Sequence, residues 1–214
     1  MLKKILSFLI PQTISKNHSP FNGDIFVRRF LGRMYIEVEG LMQSGRIIES
    51  LYINGFKKFE ISNKKAVKRV LILGVGGGTV VQLISKKFPQ ANITGIDIDP
   101  VIVEVGKEYF NLGTVKNLQL IIGDVLDDSI NLGKNFDLVI VDLFKGYKIP
   151  KDLGKEKILR KIRSTLAKDG LVIFNRLYFQ TYKIEADLFL DNVQQIFQDV
   201  KVYRNYFNLL IRAR

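Results

Sequence analysis

The chain of 214 residues has no cysteine and one histidine, His18. Without cysteine there is neither a disulfide framework nor a thiolate metal site. A single histidine cannot form a cluster, so a histidine-only zinc site within one chain is excluded. A Ser-His-Asp triad would have to use His18 itself. His18 lies in the polar stretch SKNHSP and is read as solvated. Long apolar runs are missing too. The N-terminal MLKKILSFLIPQ begins like a signal peptide, but its run is short, stops at Pro11 and lacks a small-residue cleavage site. It falls far below the roughly 20 residues needed to span a bilayer. It is read as an amphipathic cap, and the protein as cytoplasmic.

Acid is in deficit: 33 Lys+Arg face 21 Asp+Glu, a formal net charge of +12. Such a balance attracts phosphates, acidic lipids or acidic proteins. The basic residues are nevertheless spread out, with small knots at Lys64–Lys65, Lys86–Lys87 and Arg160–Arg163. An arginine-rich arm and aromatic-basic interleaving are both absent, so a nucleic-acid partner is the less favoured reading. With 47% hydrophobic and 25% charged residues the mix is that of a globular chain rather than a disordered one.

The pattern divides the chain into residues 1–62 and 63–214. In the first part DIFVRRFLGRMYIEVEGLMQ alternates around Leu31-Gly32-Arg33, a β-hairpin, and Gly40 starts a further turn. GRIIESLYINGFKKF then places Ile47, Leu51 and Phe56 near helical spacing. This is a small lid. From Val67 onward strands alternate with helices: VLIL, TVVQLISKKF, NITGID, VIVEVGKEYF after Pro100, LQLIIGD, FDLVIVD, KEKILRKIRSTLA stopped at Asp169–Gly170, GLVIFN, EADLFLDNVQQIF, and a closing strand pair. The expected fold is α/β, a doubly wound, mainly parallel Rossmann-like sheet. The runs VLIL, LQLII and DLVIV are read as strands buried on both sides. The hairpin edge and the closing strands lean the expectation toward a homodimer.

Gly74, Gly76 and Gly78 end the first strand of that sheet, where glycine permits close backbone approach. No Gly-Lys-Ser/Thr follows, which excludes a Walker loop, and the spacing G-x-G-x-G differs from the dinucleotide fingerprint. A tight turn without a ligand is the plainer reading of the glycines alone. Three acids change the weighing. Asp97 ends the second strand, where a carboxylate accepts ribose hydroxyls; Asp99 suits the helix N-terminus better. Asp124 follows the third strand, within reach of an exocyclic amine. Asp142 follows the fourth, facing the reacting end of a ligand.

The segments LILGVGGGTVVQLI, GIDIDPVIVEVGKEYF, IIGDV and FDLVIVDLF resemble class I S-adenosylmethionine-dependent transferases of the spermidine synthase-like branch, over roughly Val67 to Asn175. GLMQSG is a weaker echo. The resemblance implies the class I methyltransferase fold and S-adenosylmethionine, or its decarboxylated form, as cofactor, with no metal. It implies that Gly74, Gly76 and Gly78 pass the methionine moiety, Asp97 takes the ribose, Asp124 and Val125 the adenine, and Gln43 lies near the cofactor. Asp142 matches the acid that handles the attacking amine. Two departures stand out: Gly77 and Lys145 occupy positions where aminopropyltransferases carry amine-binding acids. Two lost charge-assisted hydrogen bonds are worth roughly 3–6 kcal/mol. Methyl transfer to a small-molecule acceptor is therefore favoured over aminopropyl transfer, for which Glu49 is a candidate compensating acid. A catalytically silent nucleoside-binding module is the second alternative, and the glycine spacing weakens NAD-dependent chemistry. Tyr52 is read as a core aromatic rather than a group closing the site, while Asn175 and Arg176 are candidates to touch the acceptor.

Overall fold

The computed structural model describes residues 10–61, 67–205 and 207–214. Among the described residues the chain forms two sheets. The first is antiparallel: β1 (Gln12–Ser19), β2 (Gly23–Phe30), β3 (Arg33–Val38) and β4 (Leu41–Met42), in that spatial order. The expected hairpin is β2–β3. Leu31 and Gly32 close it with φ of 50° and 73°, the primed-turn geometry that follows strand twist. Glu39 and Gly40, at 50° and 79°, repeat the device before β4.

β1 is a strand that the sequence pattern did not announce. Lys16, Asn17 and His18 pair with Phe26, Ile25 and Asp24, so the stretch is a strand. It has no apolar alternation to reveal it; its partner's backbone sets its register. The His18 side chain is largely exposed, with Nδ1 3.0 Å from Asp24 Oδ1. Most of the expected amphipathic cap (residues 1–9), the boundary at 62/63 and the Lys64–Lys65 knot lie outside the described residues.

Helix α1 (Arg46–Lys58) buries Leu51, Tyr52 and Phe56, while Ile47 is exposed. The main sheet then runs β5 (Arg69–Leu73), α2 (Thr79–Lys87), β6 (Asn92–Asp97), α3 (Pro100–Phe110), β7 (Leu118–Ile122), β8 (Phe136–Val141), α4 (Glu156–Arg163), β9 (Leu166–Leu177), α5 (Tyr182–Ile196), β10 (Lys201–Arg204) and β11 (Asn208–Ala213). Its strand order is β10-β11-β9-β8-β5-β6-β7. Strands β7 through β9 pair in parallel, and β11 is antiparallel to both neighbours.

Strand periodicity sorts the core into two layers. Val70, Ile72, Leu138, Ile140, Leu171 and Ile173 join Ile25, Ile36, Tyr52, Val81 and Val103, so the small sheet and α1–α3 share one core with the main sheet. Leu71, Leu73, Val139, Val141, Val172 and Phe174 meet Leu159 and Ile162 of α4 and Phe189 and Val193 of α5.

Two element assignments change. β7 is an edge strand with Gln119 and Ile122 exposed, so LQLII is not buried on both sides. The helix KEKILRKIRSTLA ends at Arg163, and β9 starts at Leu166, which pairs with Phe136 ahead of a register irregularity. Sheet pairing there overrides the helix propensity of Leu166 and Ala167.

Asp99 caps α3 as expected. Its Oδ1 accepts from the backbone N–H of Val101 (2.8 Å) and Ile102 (3.4 Å), and Pro100 occupies the first turn. Fully buried, it also accepts from Asn22 Nδ2 at 2.6 Å, tying the β1–β2 turn to the main domain. Replacing it removes a cap and strands a buried amide donor. Asp99→Ala is expected to cost about 2–4 kcal/mol in urea unfolding, and Asn22→Ala in the same background should add much less than it does alone. Additive losses would mean the Asn22–Asp99 bond contributes nothing.

Candidate active site

From β5 the chain moves toward β6 on one side, and from β8 toward β9 on the other, so strand order reverses between them. Ligands of open α/β sheets bind beyond the carboxyl ends at such a point. Here those ends open into a cleft of about 600 Å³, also bounded by β4 and the start of α1.

Gly74 makes the reversal sterically feasible. Its φ is 89°, and a Cβ there would lie 2.2 Å from the Asp142 carbonyl oxygen. The ends of β5 and β8 could not close with any other residue. Gly76, at φ 50°, behaves differently: a Cβ would meet nothing nearer than the Gln43 carbonyl at 4.0 Å, so its bare backbone faces open space. Gly78 packs on Leu112 and is the N-cap of α2.

Asp97 does more than the sequence indicates. Its Oδ2 accepts from the N–H groups of Val75 and Gly76, both at 2.8 Å, and its Oδ1 from Asp99 N–H at 2.9 Å. It is 9% exposed and lines the cleft. Burial raises its pKa, partly offset by the three amide donors. Asp97 thus holds the glycine loop in shape before any ligand arrives. Asp124 stands two residues past β7, exposed at the rim, with Oδ1 accepting from Leu126 N–H. Val125 beside it is buried, and both line the cleft. Gln43 lines it from the opposite wall and donates from Nε2 to the Gly146 carbonyl at 3.2 Å. The structure therefore gathers Gln43, Gly74, Gly76, Asp97, Asp124, Val125 and Asp142 around one cleft, while Gly78 stands behind the loop rather than in the lining.

Asp142 follows β8 at the floor. Asn175 Nδ2 donates to its Oδ1 at 2.8 Å, and Asn208 Nδ2 donates to Asn175 Oδ1 at 3.0 Å. Burial raises the Asp142 pKa to about 6; the Asn175 hydrogen bond pulls it down and the Asp97 charge adds to the rise. Tyr52 is fully buried beside this group. Its hydroxyl forms no hydrogen bond of normal geometry, and burial and the Asp142 charge both raise its pKa. It is the core aromatic expected, yet it forms part of Asp142's electrostatic surroundings.

Asn175 and Arg176 separate. They are consecutive in β9, so they point to opposite faces. Asn175 faces the cleft, whereas Arg176 lies under α5, its guanidinium 4.3 Å from the Phe189 ring centroid and lowered by burial to about 10. Arg176 is not an acceptor contact. Glu49 does not line the cleft either, so it supplies no compensating acid. Lys145 is exposed on the rim, in a turn where its N–H and carbonyl pair with Lys148.

Gly77 is the informative departure. A Cβ there would lie 2.5 Å from Ile36 Cδ1 and 3.2 Å from Ser44 Cβ. Ser44 is fully buried and accepts from Ile36 N–H, while Gly45 N–H donates to Thr79 Oγ1. The small sheet is pressed onto the loop and fills the space a side chain would need.

Sequence reasoning passed over Asn208 and the rings of Phe144, Tyr147, Phe179 and Phe207, all in the cleft wall. DLFKGYKIP, directly after β8, was the available signal for Phe144 and Tyr147; Asn208 has none, since it opens an ordinary closing strand. Among the described residues, no three His, Asp or Glu side chains gather as a metal ligand set, and no helix is long and apolar enough to cross a membrane.

Residues 64–211 match the family model of a methyltransferase domain. The chain belongs to that family. Its methyltransferase domain is similar to a polyamine aminopropyltransferase of Vibrio vulnificus, 28% identical over 120 residues, or 55% of this chain and 40% of that one. It is also similar to an eEF1A lysine and N-terminal methyltransferase homolog of Drosophila melanogaster, 32% identical over 147 residues, or 64% of this chain and 21% of that one. The matches thus span well under half the length of these two relatives. Among solved structures, spermidine synthase from Thermotoga maritima superposes with a TM-score of 0.77 at 15% identity, covering 94% of this chain and 72% of that one. The likeness in fold therefore reaches beyond the methyltransferase domain into the small sheet.

Because Asp97 anchors this domain's loop, its removal should be felt without ligand. Asp97→Ala is expected to lower unfolding free energy by about 2–4 kcal/mol, given three amides losing a charged acceptor. An unchanged urea midpoint would reduce Asp97 to a surface acid.

Proposed function

We propose that this chain transfers a methyl group from S-adenosylmethionine to a nucleophile placed at Asp142. The residues present suit an adenosyl group. The open backbone at Gly76 leaves a cradle, Asp97 keeps one acceptor site on Oδ1 beyond the three amides it already holds, and Asp124 stands at the rim. Gln43, Gly74 and Gly76 would pass the methionine end, Asp97 would take the ribose, and Asp124 with Val125 the adenine. When bound, S-adenosylmethionine supplies an electrophilic methyl on a sulfonium, so the protein needs only to align the nucleophile and exclude water.

Asp142 holds the acceptor and takes its proton. Asn175 fixes one carboxylate oxygen, Asn208 fixes Asn175, and Asp142 lines the cleft with the Tyr52 hydroxyl beside it. A base raised to about 6 is ionised at neutral pH and still basic enough to accept a proton as the acceptor reacts.

The choice of methyl over aminopropyl transfer rests on Gly77. Decarboxylated S-adenosylmethionine ends in an ammonium that needs an acid nearby. Ile36 and Ser44 fill the space such a side chain would take. Glu49 stands outside the cleft, and Lys145 places a positive charge on its rim. The aminopropyltransferase among the relatives keeps the second reading in play, and the surviving Asp142 is common to both.

The deciding measurement is the mass gained by acceptors incubated with protein and cofactor. One methyl group is expected; one aminopropyl group overturns the reading. Calorimetry should show S-adenosylmethionine binding at least as tightly as its decarboxylated form. Asp142→Asn should leave that affinity within a few-fold and lower turnover by about 10²–10⁴. Because the carboxyl pKa is raised, the ionised base is lost as pH falls through about 6, and a bound sulfonium cation shifts that loss lower still. Acceptor kcat/KM at saturating cofactor should therefore drop below pH 6 and be flat from pH 7 to 8. An acid limb centred above pH 7 would assign the proton to another group.

A further inference from the structure

The acceptor half of the cleft differs in character from the nucleoside half. Beyond Asp142 its wall includes the rings of Phe144, Tyr147, Phe179 and Phe207 beside Leu143, Pro150 and Leu177, and no acid other than Asp97, Asp124 and Asp142 lines the cleft anywhere among the described residues. The rings pack on one another: Tyr147 meets Phe179 at 6.3 Å and Phe179 meets Phe207 at 6.0 Å, both edge-to-face, and Tyr182 stacks behind Tyr147 at 6.3 Å. Phe207 is 58% exposed, an apolar ring with a large part of its surface in solvent. Lys145 stands on the same rim and makes no ion pair among the described residues.

A linear polyamine fits this wall poorly. It carries several ammonium groups separated by methylenes, and Asp142 would neutralise one of them. The others would meet aromatic edges and Lys145 in a chain of net charge +12. A cation is held over the face of a ring, within about 6 Å of its centroid. These rings turn edges to faces within their own cluster, which builds a continuous apolar wall instead. A planar aromatic ring covers such a wall with little conformational entropy to lose.

We propose that the acceptor is an aromatic hydroxyl compound bearing an anionic group, stacked on the Tyr147–Phe179–Phe207 wall with its hydroxyl at Asp142 and its anion toward Lys145. This deepens the methyltransferase reading and rests on it. Asp142 orients the hydroxyl and receives its proton; Lys145 admits a carboxylate and repels polyamines and lysyl side chains.

Calorimetry on the full chain saturated with S-adenosylhomocysteine tests the idea with three probes: 4-hydroxycinnamate, spermidine and a short lysine peptide. The hydroxycinnamate is expected to bind at least tenfold more tightly than either cation. Phe207→Ala, at an exposed position, and Tyr147→Leu should each weaken it fivefold or more without altering S-adenosylhomocysteine affinity. Lys145→Glu should weaken the carboxylate but not its methyl ester. Binding of spermidine or the peptide as tight as that of the hydroxycinnamate overturns the proposal. So does absence of hydroxycinnamate binding, or indifference to both ring substitutions. Failure of S-adenosylhomocysteine to bind is a separate result and overturns the underlying cofactor reading.

Discussion

One carboxylate organises this cleft. Asp97 gathers the amides of Val75 and Gly76 on one oxygen and that of Asp99 on the other, so a single side chain joins the loop after β5 to the start of α3. Its placement follows from the sheet. β6 runs parallel to β5, with Leu73 opposite Ile96, so the residue after Ile96 emerges beside the loop after Leu73. Left unsatisfied, those buried amides would each cost about 1–3 kcal/mol. The loop therefore does not wait for a ligand to acquire its shape, which cuts the ordering cost of binding.

The floor of the cleft follows a second logic. Asp142, Asn175 and Asn208 come from the ends of β8, β9 and β11, three neighbouring strands; Asn208 donates to Asn175, and Asn175 donates to Asp142. Asparagine suits the middle position because its amide can donate on one side and accept on the other. A charged group there would either neutralise Asp142 or repel it. Burial among these partners raises the carboxyl to about 6, so the same packing that positions this carboxylate also tunes it.

Much of this was legible in the sequence, and the gaps have physical causes. The near-continuous apolar runs VLIL and DLVIV, set among strands that alternate with helices, announced a central parallel sheet, and the glycine loop with Asp97, Asp124 and Asp142 announced where its cleft lies. The strand β1 was hidden because SKNHSP pairs through its backbone and carries no apolar alternation. β7 misled because an apolar run signals burial, yet Ile122 lies on an edge strand and is exposed. Arg176 was misplaced by one step of strand parity: its neighbour Asn175 faces the cleft, and it cannot. The scaffolding duty of Asp97 required knowing that the loop folds back over the end of β6, and motif spacing does not carry that geometry.

The small sheet carries the last argument. Methyl and aminopropyl transfer share a nucleoside, a sulfonium and an in-line displacement, so the nucleoside half of the cleft cannot choose between them. In the proposed reading the choice falls where the transferred group would end, against the loop at Gly77. There a Cβ at position 77 would lie 2.5 Å from Ile36 Cδ1 of β3 and 3.2 Å from Ser44 Cβ, and the Gly45 N–H donates to Thr79 Oγ1 at the start of α2. β3 is fixed in turn by its core position, with Ile36 fully buried among Tyr52 and Val81 of the shared layer. An aspartate at position 77 would therefore have to displace the Ile36 Cδ1 methyl and shift Ser44 by a few tenths of an ångström. The element that resembles a lid in sequence is packed into the shared core and crowds position 77, and that crowding is the basis for favouring methyl over aminopropyl transfer in the proposed reading.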